Sequence, residues 1–254
     1  MELQDNLATL QREGIQPFAI NYDPVEVLAS FAEKHGITYP LLSDVDSKVI
    51  RDFGILNTLV PEDHRWFGVP LPGTYMVDEH SKVFDRSFYA DHGIRDSVAT
   101  MLHESFSITD AARGTVKVVE TPSLKASAWL SADTVRRGQI HTLTVQLDIK
   151  PGYHIYGRPI ADDYIATSLS FEPLDDVTIG HIDYPAPSHI HLPVLNESLN
   201  VYNGSIVIKV SVRSRRRESF SLAANLDYQA CDDRECLLPD HLPSSLPLEY
   251  RDNP

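Results

Sequence analysis

The hydrophobic period of this chain changes near residue 112, and that change restricts the folds that the chain can adopt. Before this point helical and strand-like segments alternate: Leu3, Leu7 and Leu10 recur at helical spacing, and a strand-like run at 17–23 follows them. After it, apolar and polar residues alternate, as at 143–147, which is typical of a strand with one buried face. The sequence therefore predicts an α/β domain followed by an all-β domain.

Capping and turn residues mark the elements of the first domain. Asp23 is the expected N-cap of a second helix, which ends at Gly36, and Asp46 is the expected cap of a short third helix. A strand–turn–strand pattern occupies 73–88, and a closing helix occupies 94–106. We place this α/β domain at residues 1–110.

The second domain is predicted at residues 115–254. Seven or eight short strand candidates follow one another there, with turn residues between them. Strands at such regular spacing are typical of an antiparallel β-sandwich.

The net charge of the chain limits which classes of molecule it can bind. The net charge is −14, and residues 1–112 hold eight Lys and Arg against 18 Asp and Glu. So acidic a chain repels phosphate backbones, which argues against a nucleic-acid partner. The one basic run, at 213–217, lies between two strand-like runs and is interpreted as a solvated hairpin tip.

The first residues of the chain decide which cellular compartment the sequence predicts. They form an amphipathic helical pattern without the basic start and apolar centre of a secretory signal, so the chain as written is expected to be cytoplasmic. Loss of an upstream part of the protein is the alternative. No apolar run approaches the ~20 residues of a membrane helix, and no membrane insertion is expected.

Cys231 and Cys236 are the only cysteines in the chain, and the four residues DDRE separate them. Strand-like residues on both sides predict a tight connection that brings the two Cα atoms within the ~4.4–6.8 Å that a disulfide requires. A structural disulfide around so short a loop stabilises by only roughly 2 kcal/mol, which favours dithiol–disulfide exchange for a local pair. A structural disulfide, or reduced and metal-bound thiols, remain as alternatives.

Histidines supply the metal alternative. His189 and His191 share one face of a strand, and His154 and His181 lie in the same half of the chain. Such histidines are more often surface or core residues, and we predict neither a metal site nor a cofactor. No hydrolase, phosphate-binding or dinucleotide-binding motif occurs.

The runs FAEKHGITYPLLSDVDSKVIRDFGI at 31–55 and VPLPGTYMVDEHSKVFDRSF at 69–88 resemble peroxiredoxins of the AhpC/TSA type. The resemblance implies a thioredoxin-like fold that is incomplete at its amino terminus, with Pro72 at the position of the family's cis-proline. Peroxiredoxins act through a cysteine that this segment lacks, because residues 1–230 hold none. Peroxidase activity is therefore not expected of this chain.

The runs KPGYHIYG at 150–157, LPVLNESLNVYNGSIVIKV at 192–210 and YQACDDRECLLP at 228–239 resemble the amino-terminal domain of the thiol:disulfide interchange protein DsbD. The resemblance implies an immunoglobulin-like sandwich whose redox-active pair is Cys231 and Cys236. It also implies a cap loop near 194–198, with Leu195 as the covering side chain. The remaining supporting residues predicted around the pair are Tyr153, Tyr156, Tyr228 and Arg234.

The function predicted from these features is thiol–disulfide exchange through Cys231 and Cys236. The expected partner is a thiol or disulfide protein, either thioredoxin-like or a DsbD-type membrane electron donor, and the family analogy implies the periplasm. The alternatives are a non-catalytic interaction module with a structural disulfide, and a truncated form of a longer peroxiredoxin-like antioxidant fusion.

Overall fold

The computed structural model describes residues 2–91, 93–108, 114–161, 163–192, 197–232 and 234–252. The chain divides into two compact units, Met1–Ser107 and Ile108–Asn253. The first is a small α/β unit and the second consists of strands, so the predicted order of fold classes is confirmed.

Short helices and strands alternate in the first unit. They are α1 (Glu2–Asp5), α2 (Leu7–Arg12), β1 (Ala19–Asn21), α3 (Val25–His35), β2 (Leu41–Ser43), α4 (Lys48–Asp52), β3 (Gly73–Val77), β4 (Val83–Phe88), β5 (Arg95–Asp96) and α5 (Val98–Ser105). β1 pairs with β2 in parallel, and β3 pairs with β4 as an antiparallel hairpin. A small core holds α2 against the strands: Leu7 packs with Ile37 and Tyr39.

Two of the predicted helix caps are wrong. α3 starts after Pro24, whose extended backbone serves as its N-cap, while the Asp23 carboxylate accepts a hydrogen bond from the Asn21 amide instead. α4 is capped by Asp44 rather than Asp46, because the Asp44 carboxylate accepts the backbone N–H groups of residues 48–50. The predicted end of α3 is confirmed, since Gly36 adopts a left-handed φ of 62° that favours glycine.

Thirteen strands are described in the second unit. They are β6 (Lys117–Glu120), β7 (Leu124–Leu130), β8 (Thr134–Val135), β9 (Gln139–Ile149), β10 (His154–Tyr156), β11 (Ser168–Phe171), β12 (Val177–Asp183), β13 (Ser188–Leu192), β14 (Glu197–Tyr202), β15 (Ser205–Ser214), β16 (Phe220–Tyr228), β17 (Ala230–Cys231) and β18 (Asp240–Tyr250).

Two sheets of this unit form a β-sandwich. One runs in the order β12-β15-β9-β7-β6 and the other in the order β11-β16-β18-β8, with antiparallel pairing except between β18 and β8. Leu143 and Leu147 of the first sheet and Leu222 and Leu246 of the second belong to one buried cluster. Burial of apolar surface between the sheets is the main stabilising contribution to such a core. The sandwich predicted from alternation is therefore confirmed.

The solvated face expected on β9 is only partly present. Gln146 is half-buried, but Thr142 and Thr144 are buried, so this stretch of the strand is covered on both faces. The hairpin predicted around the basic run 213–217 is wrong, because β15 and β16 belong to different sheets and the run lies on the connection between them. Arg213 is part of β15, and the largely buried Arg216 donates to the Asp175 carbonyl.

A third sheet, in the order β13-β14-β10-β17, carries Cys231, and Cys236 pairs with Cys231 through an isolated bridge beside it. Leu199 and Val201 of β14 pack with Tyr156 of β10 and Cys231 of β17 in a cluster separate from the sandwich core. We call this third sheet the redox sheet.

The cis-proline predicted at Pro72 is wrong. Among the described residues the cis peptide bond is Arg158–Pro159, next to the redox sheet. Leu71 donates its N–H to the Ile55 carbonyl on the approach to β3, and the bond to Pro72 keeps the trans form, which X–Pro bonds prefer by about 0.5–1 kcal/mol.

Candidate functional site

Cys231 and Cys236 form a disulfide with an S–S distance of 2.03 Å and a Cα–Cα distance of 4.0 Å. β17 places Cys231 directly opposite His154 of β10 in the antiparallel register. The connection between the cysteines is closed by Asp232, whose Oδ1 accepts the N–H groups of Arg234 at 2.7 Å and Glu235 at 2.8 Å. Aspartate closes tight turns in this way, and the acidic DDRE run is therefore compatible with the hairpin mouth predicted from sequence.

The two cysteines differ in exposure. Cys231 is 2% exposed and packs against Tyr156 and Leu199, whereas Cys236 is exposed. A protein that approaches the disulfide therefore meets Cys236 first.

Tyr156 contacts both sulfur atoms from the buried side. Its hydroxyl lies 2.9 Å from Cys231 Sγ and 3.4 Å from Cys236 Sγ, and the O–H donates because a disulfide sulfur only accepts. Burial, together with the nearby charge of Glu197, raises the pKa of Tyr156 above its usual value. The phenol therefore keeps its proton at neutral pH and remains a donor.

The other predicted supporting residues lie elsewhere or lack a described contact with the sulfur atoms. Tyr153 packs against the sandwich core, and the buried Tyr228 directs its hydroxyl to Thr121 and Asp240. Arg234 is exposed, and its backbone N–H donates to the Asp232 carboxylate. Leu195 lies outside the described residues.

Gln229 holds the cysteine hairpin in place through two side-chain hydrogen bonds, a role that is not predicted from the sequence. Its Nε2 donates to the Leu237 carbonyl at 3.1 Å, and its Oε1 accepts the Ile165 N–H at 3.3 Å. It thereby joins the chain just after Cys236 to the segment that precedes β11. The residue stands inside the YQAC run, but only the fold shows what its amide reaches.

Tyr164 and Glu197 form a second pair beside the disulfide that sequence reasoning missed. The Tyr164 hydroxyl donates to Glu197 Oε2 at 2.7 Å, and its ring centroid lies 4.8 Å from that of Tyr156. The hydrogen bond to Glu197 raises the pKa of Tyr164 to about 12. Thirty-three residues separate the two positions, so no local pattern joins them.

The site carries ionised carboxylates. Backbone hydrogen bonds from Glu235 and Arg234 hold the pKa of Asp232 below its usual value, so this side chain is charged at neutral pH. Glu235 and Glu197 add further acidic groups, and Arg234 contributes the basic group of the hairpin.

The described residues do not bring together the side chains that a metal site needs. Both cysteines are consumed by the disulfide, and the described part of the chain contains no group of three or more His, Cys, Asp or Glu side chains placed to hold a metal ion. His189 and His191 are exposed on β13, and His181 pairs with Asp183.

A search for membrane-crossing helices is also negative within the described ranges: none of the helices there combines the length and the apolar character needed.

Two protein families match this chain. Residues 1–86 match the AhpC/TSA family, and residues 125–246 match the family described as thiol:disulfide interchange protein DsbD, N-terminal. Both resemblances expected from the sequence are thereby confirmed. The chain thus joins a region similar to peroxiredoxins to a region similar to the DsbD N-terminal domain.

Curated relatives match the first region. A Mycobacterium tuberculosis protein that carries a peroxiredoxin name is 31% identical over 86 residues, which are 32% of this chain and 52% of the relative. Peroxiredoxin Bcp of Escherichia coli is 40% identical over 53 residues, which are 21% of this chain and 34% of the relative. The chain thus spans about half the length of the first of these relatives and a third of the second.

Solved structures match over about half of this chain. The N-terminal periplasmic domain of ScsB from Proteus mirabilis has 17% identity and a TM-score of 0.38, covering 52% of this chain and 49% of that chain. The reduced DsbD N-terminal domain from Neisseria meningitidis has 16% identity and a TM-score of 0.32, covering 42% of this chain and 77% of that chain.

Proposed function

We propose that this protein exchanges electrons with other proteins through the Cys231–Cys236 pair. The observation that carries the proposal is the asymmetry of the two sulfur atoms. Cys236 is exposed, whereas Cys231 is buried and its Sγ accepts a hydrogen bond from Tyr156. Such a disulfide offers one sulfur to an incoming thiolate and holds the other as a leaving group.

The reducing direction begins when a thiolate of the partner attacks Cys236 Sγ. The S–S bond breaks, its electron pair passes to Cys231 Sγ, and a mixed disulfide joins the partner to Cys236. The Tyr156 hydroxyl stabilises the developing Cys231 thiolate, because a hydrogen bond to the charged form favours that form. A second thiol of the partner then releases Cys236, which leaves the pair reduced and the partner oxidised by two electrons.

The oxidising direction is the reverse. The Cys236 thiolate attacks a disulfide of the partner, and Cys231 then attacks Cys236 Sγ to restore the internal disulfide. Each direction uses the same mixed disulfide at Cys236, so trapping that species tests both.

We place this chemistry in the second unit because residues 1–230 contain no cysteine. The thiolate is the nucleophile in thiol–disulfide and peroxide chemistry alike. The peroxiredoxin-like region is therefore proposed to act without a peroxide-reactive thiol of its own.

The partner that we propose is a thioredoxin-like protein or a DsbD-type membrane electron donor, and the proposed compartment is the periplasm. The DsbD N-terminal match over residues 125–246 supports both statements. Disulfides that turn over in exchange reactions also persist most readily in such oxidising compartments.

Trapping with single-cysteine variants tests the proposal. Cys231→Ser leaves the exposed Cys236 thiol, which is expected to attack a thioredoxin variant that lacks its resolving cysteine and carries thionitrobenzoate in disulfide linkage on the other. The mixed disulfide then forms with release of the thionitrobenzoate anion. Cys236→Ser leaves only the buried thiol and is expected to trap little. Equal trapping by both variants would contradict the assigned order of attack.

The reduction midpoint separates exchange from a structural role. We expect equilibration in thiol–disulfide buffers to give a midpoint between about −120 and −270 mV, the range of exchange proteins. A midpoint below about −300 mV would identify a structural disulfide and overturn the proposed function.

A further inference from the structure

A groove of about 350 Å³ lies between the segment that follows β10 and the start of β14. Residues 159–161 form one wall, and residues 197–200 at the start of β14 form the other. This volume lies in the range of sites that hold a small ligand or a side chain. We call it the β14 groove.

The β14 groove shares a wall with the disulfide. Leu199 lines the groove and packs in the same buried cluster as Tyr156 and Cys231, and Ile160 packs against that cluster from the other wall. The side chains of Leu199 and Ile160 therefore connect the groove with the cluster that holds Tyr156 and Cys231.

Glu197 is the charged residue among the described residues that line the groove, and none of those residues is Lys or Arg. Its Oε2 accepts the hydrogen bond of the Tyr164 hydroxyl. Asn200 donates its Nδ2 to the Pro159 carbonyl at 2.6 Å, which ties the two walls of the groove together.

The surrounding charge favours a cation. The connection DDRE between the cysteines holds three carboxylates and one guanidinium, and the charge of Glu197 acts on Tyr156 from β14. This excess of negative charge repels an approaching thiolate, and a basic group carried beside that thiolate offsets the repulsion.

We propose that the β14 groove binds an arginine or lysine side chain that the redox partner carries next to its reactive cysteine. The cation would pair with Glu197 while the partner thiolate reaches Cys236. This inference rests on the proposed function and adds to it the chemistry by which the partner is recognised.

Two matched dithiol peptides test the inference. Both contain Cys-Gly-Pro-Cys, and they differ only in whether the flanking residues are arginine or citrulline, which has nearly the same shape without the charge. We expect the reduced arginine peptide to reduce the disulfide about tenfold faster at low salt, the effect of one hydrogen-bonded charge. The advantage should shrink at 0.5 M salt because screening weakens exposed charge pairs.

A groove variant and a matched control localise the effect. Glu197→Gln removes the carboxylate charge and is expected to abolish most of the difference between the peptides. Glu249→Gln makes the same change on β18, where Glu249 pairs with Arg251, and should leave the difference intact. Equal rates for the two peptides with the unmodified protein, or an equal loss in both variants, would overturn the inference.

A binding measurement without chemistry separates this inference from the proposed function. The same peptides with S-methylated cysteines cannot exchange, and NMR titration of the oxidised protein should show tighter binding of the arginine form with shifts at 197–200. If that preference is present but neither reduced peptide opens the disulfide, the function fails while the groove assignment survives. If the peptides reduce the disulfide without any preference, the groove assignment fails and the function survives.

Discussion

The hydroxyl of Tyr156 lies 2.9 Å from Sγ of Cys231, and this contact joins the buried phenol of β10 to the inner sulfur of the disulfide. The phenol retains its proton because burial raises its pKa. It can therefore donate to Cys231 in both the oxidised and the reduced state, and the donation is worth more when the sulfur is a thiolate.

Replacing Tyr156 with phenylalanine is expected to raise the pKa of the Cys231 thiol by about one unit, because the thiolate loses a hydrogen bond worth about 1.4 kcal/mol. At a pH above that pKa, the reduction midpoint of the disulfide should become more negative, because the reduced form has lost this hydrogen bond. The rate of iodoacetamide labelling against pH reports the thiol pKa directly in the Cys236→Ser background. Tyr153→Phe is the control, since Tyr153 packs against the sandwich core; an equal shift there would remove the special role of Tyr156.

The two thiols of the reduced protein should react at different rates. Cys236 is exposed and Cys231 is 2% exposed, so limited alkylation is expected to label Cys236 at least about tenfold faster. Peptide mapping by mass spectrometry after a short pulse of reagent measures the ratio. In urea the ratio should approach one, which shows that the fold and not the local sequence creates it.

Gln229→Ala is expected to loosen the cysteine hairpin. The substitution removes the donor to the Leu237 carbonyl and the acceptor of the Ile165 N–H, at a total cost of about 1–3 kcal/mol in the free energy of unfolding. Urea unfolding measures the cost, and hydrogen exchange at Leu237 should quicken. Gln146→Ala, which removes only half-buried and exposed contacts to Asp148 and Ser205, should change neither reading appreciably.

Asp44 makes the stability of the first unit depend on pH. Burial raises the pKa of its carboxyl, but hydrogen bonds from Ile50, Val49 and Lys48 outweigh burial and bring that pKa below its ordinary value. A depressed pKa contributes stability above the unfolded value of about 3.9, and that contribution is lost as the pH falls through the folded pKa. Asp44→Asn should reduce the number of protons taken up on unfolding in acid by up to one. The slope of the melting temperature against pH, measured between pH 6 and pH 3, should therefore become smaller. A slope that is unchanged in the variant would contradict the assignment.

The sequence predicts the parts of the fold that depend on local periodicity. Alternation at 143–147 identifies β9 and its sandwich face, and the left-handed residue at Gly36 ends α3 as predicted. The caps fail because a cap depends on where the first turn starts. Asp44 and Asp46 both precede α4, and only the backbone geometry selects the carboxylate that reaches the N–H groups of residues 48–50.

The candidate site is predictable only in part for a similar reason. The spacing and family resemblance identify Cys231 and Cys236, whereas Tyr153 and Tyr156 are equal candidates in sequence. Their separation by three residues prevents both from facing the same side of one strand, and the pairing of β10 with β17 decides in favour of Tyr156. Gln229 and Glu197 act through partners tens of residues away or across strands, which no periodicity encodes.

The disulfide lies against one face of the redox sheet, in the buried cluster of Tyr156, Leu199, Val201 and Cys231. The same three strands enter the sandwich core through Ile155, Tyr202 and Ala230, which alternate with the residues of that cluster. A single layer of backbone therefore separates the sulfur atoms from the core that holds the second unit together.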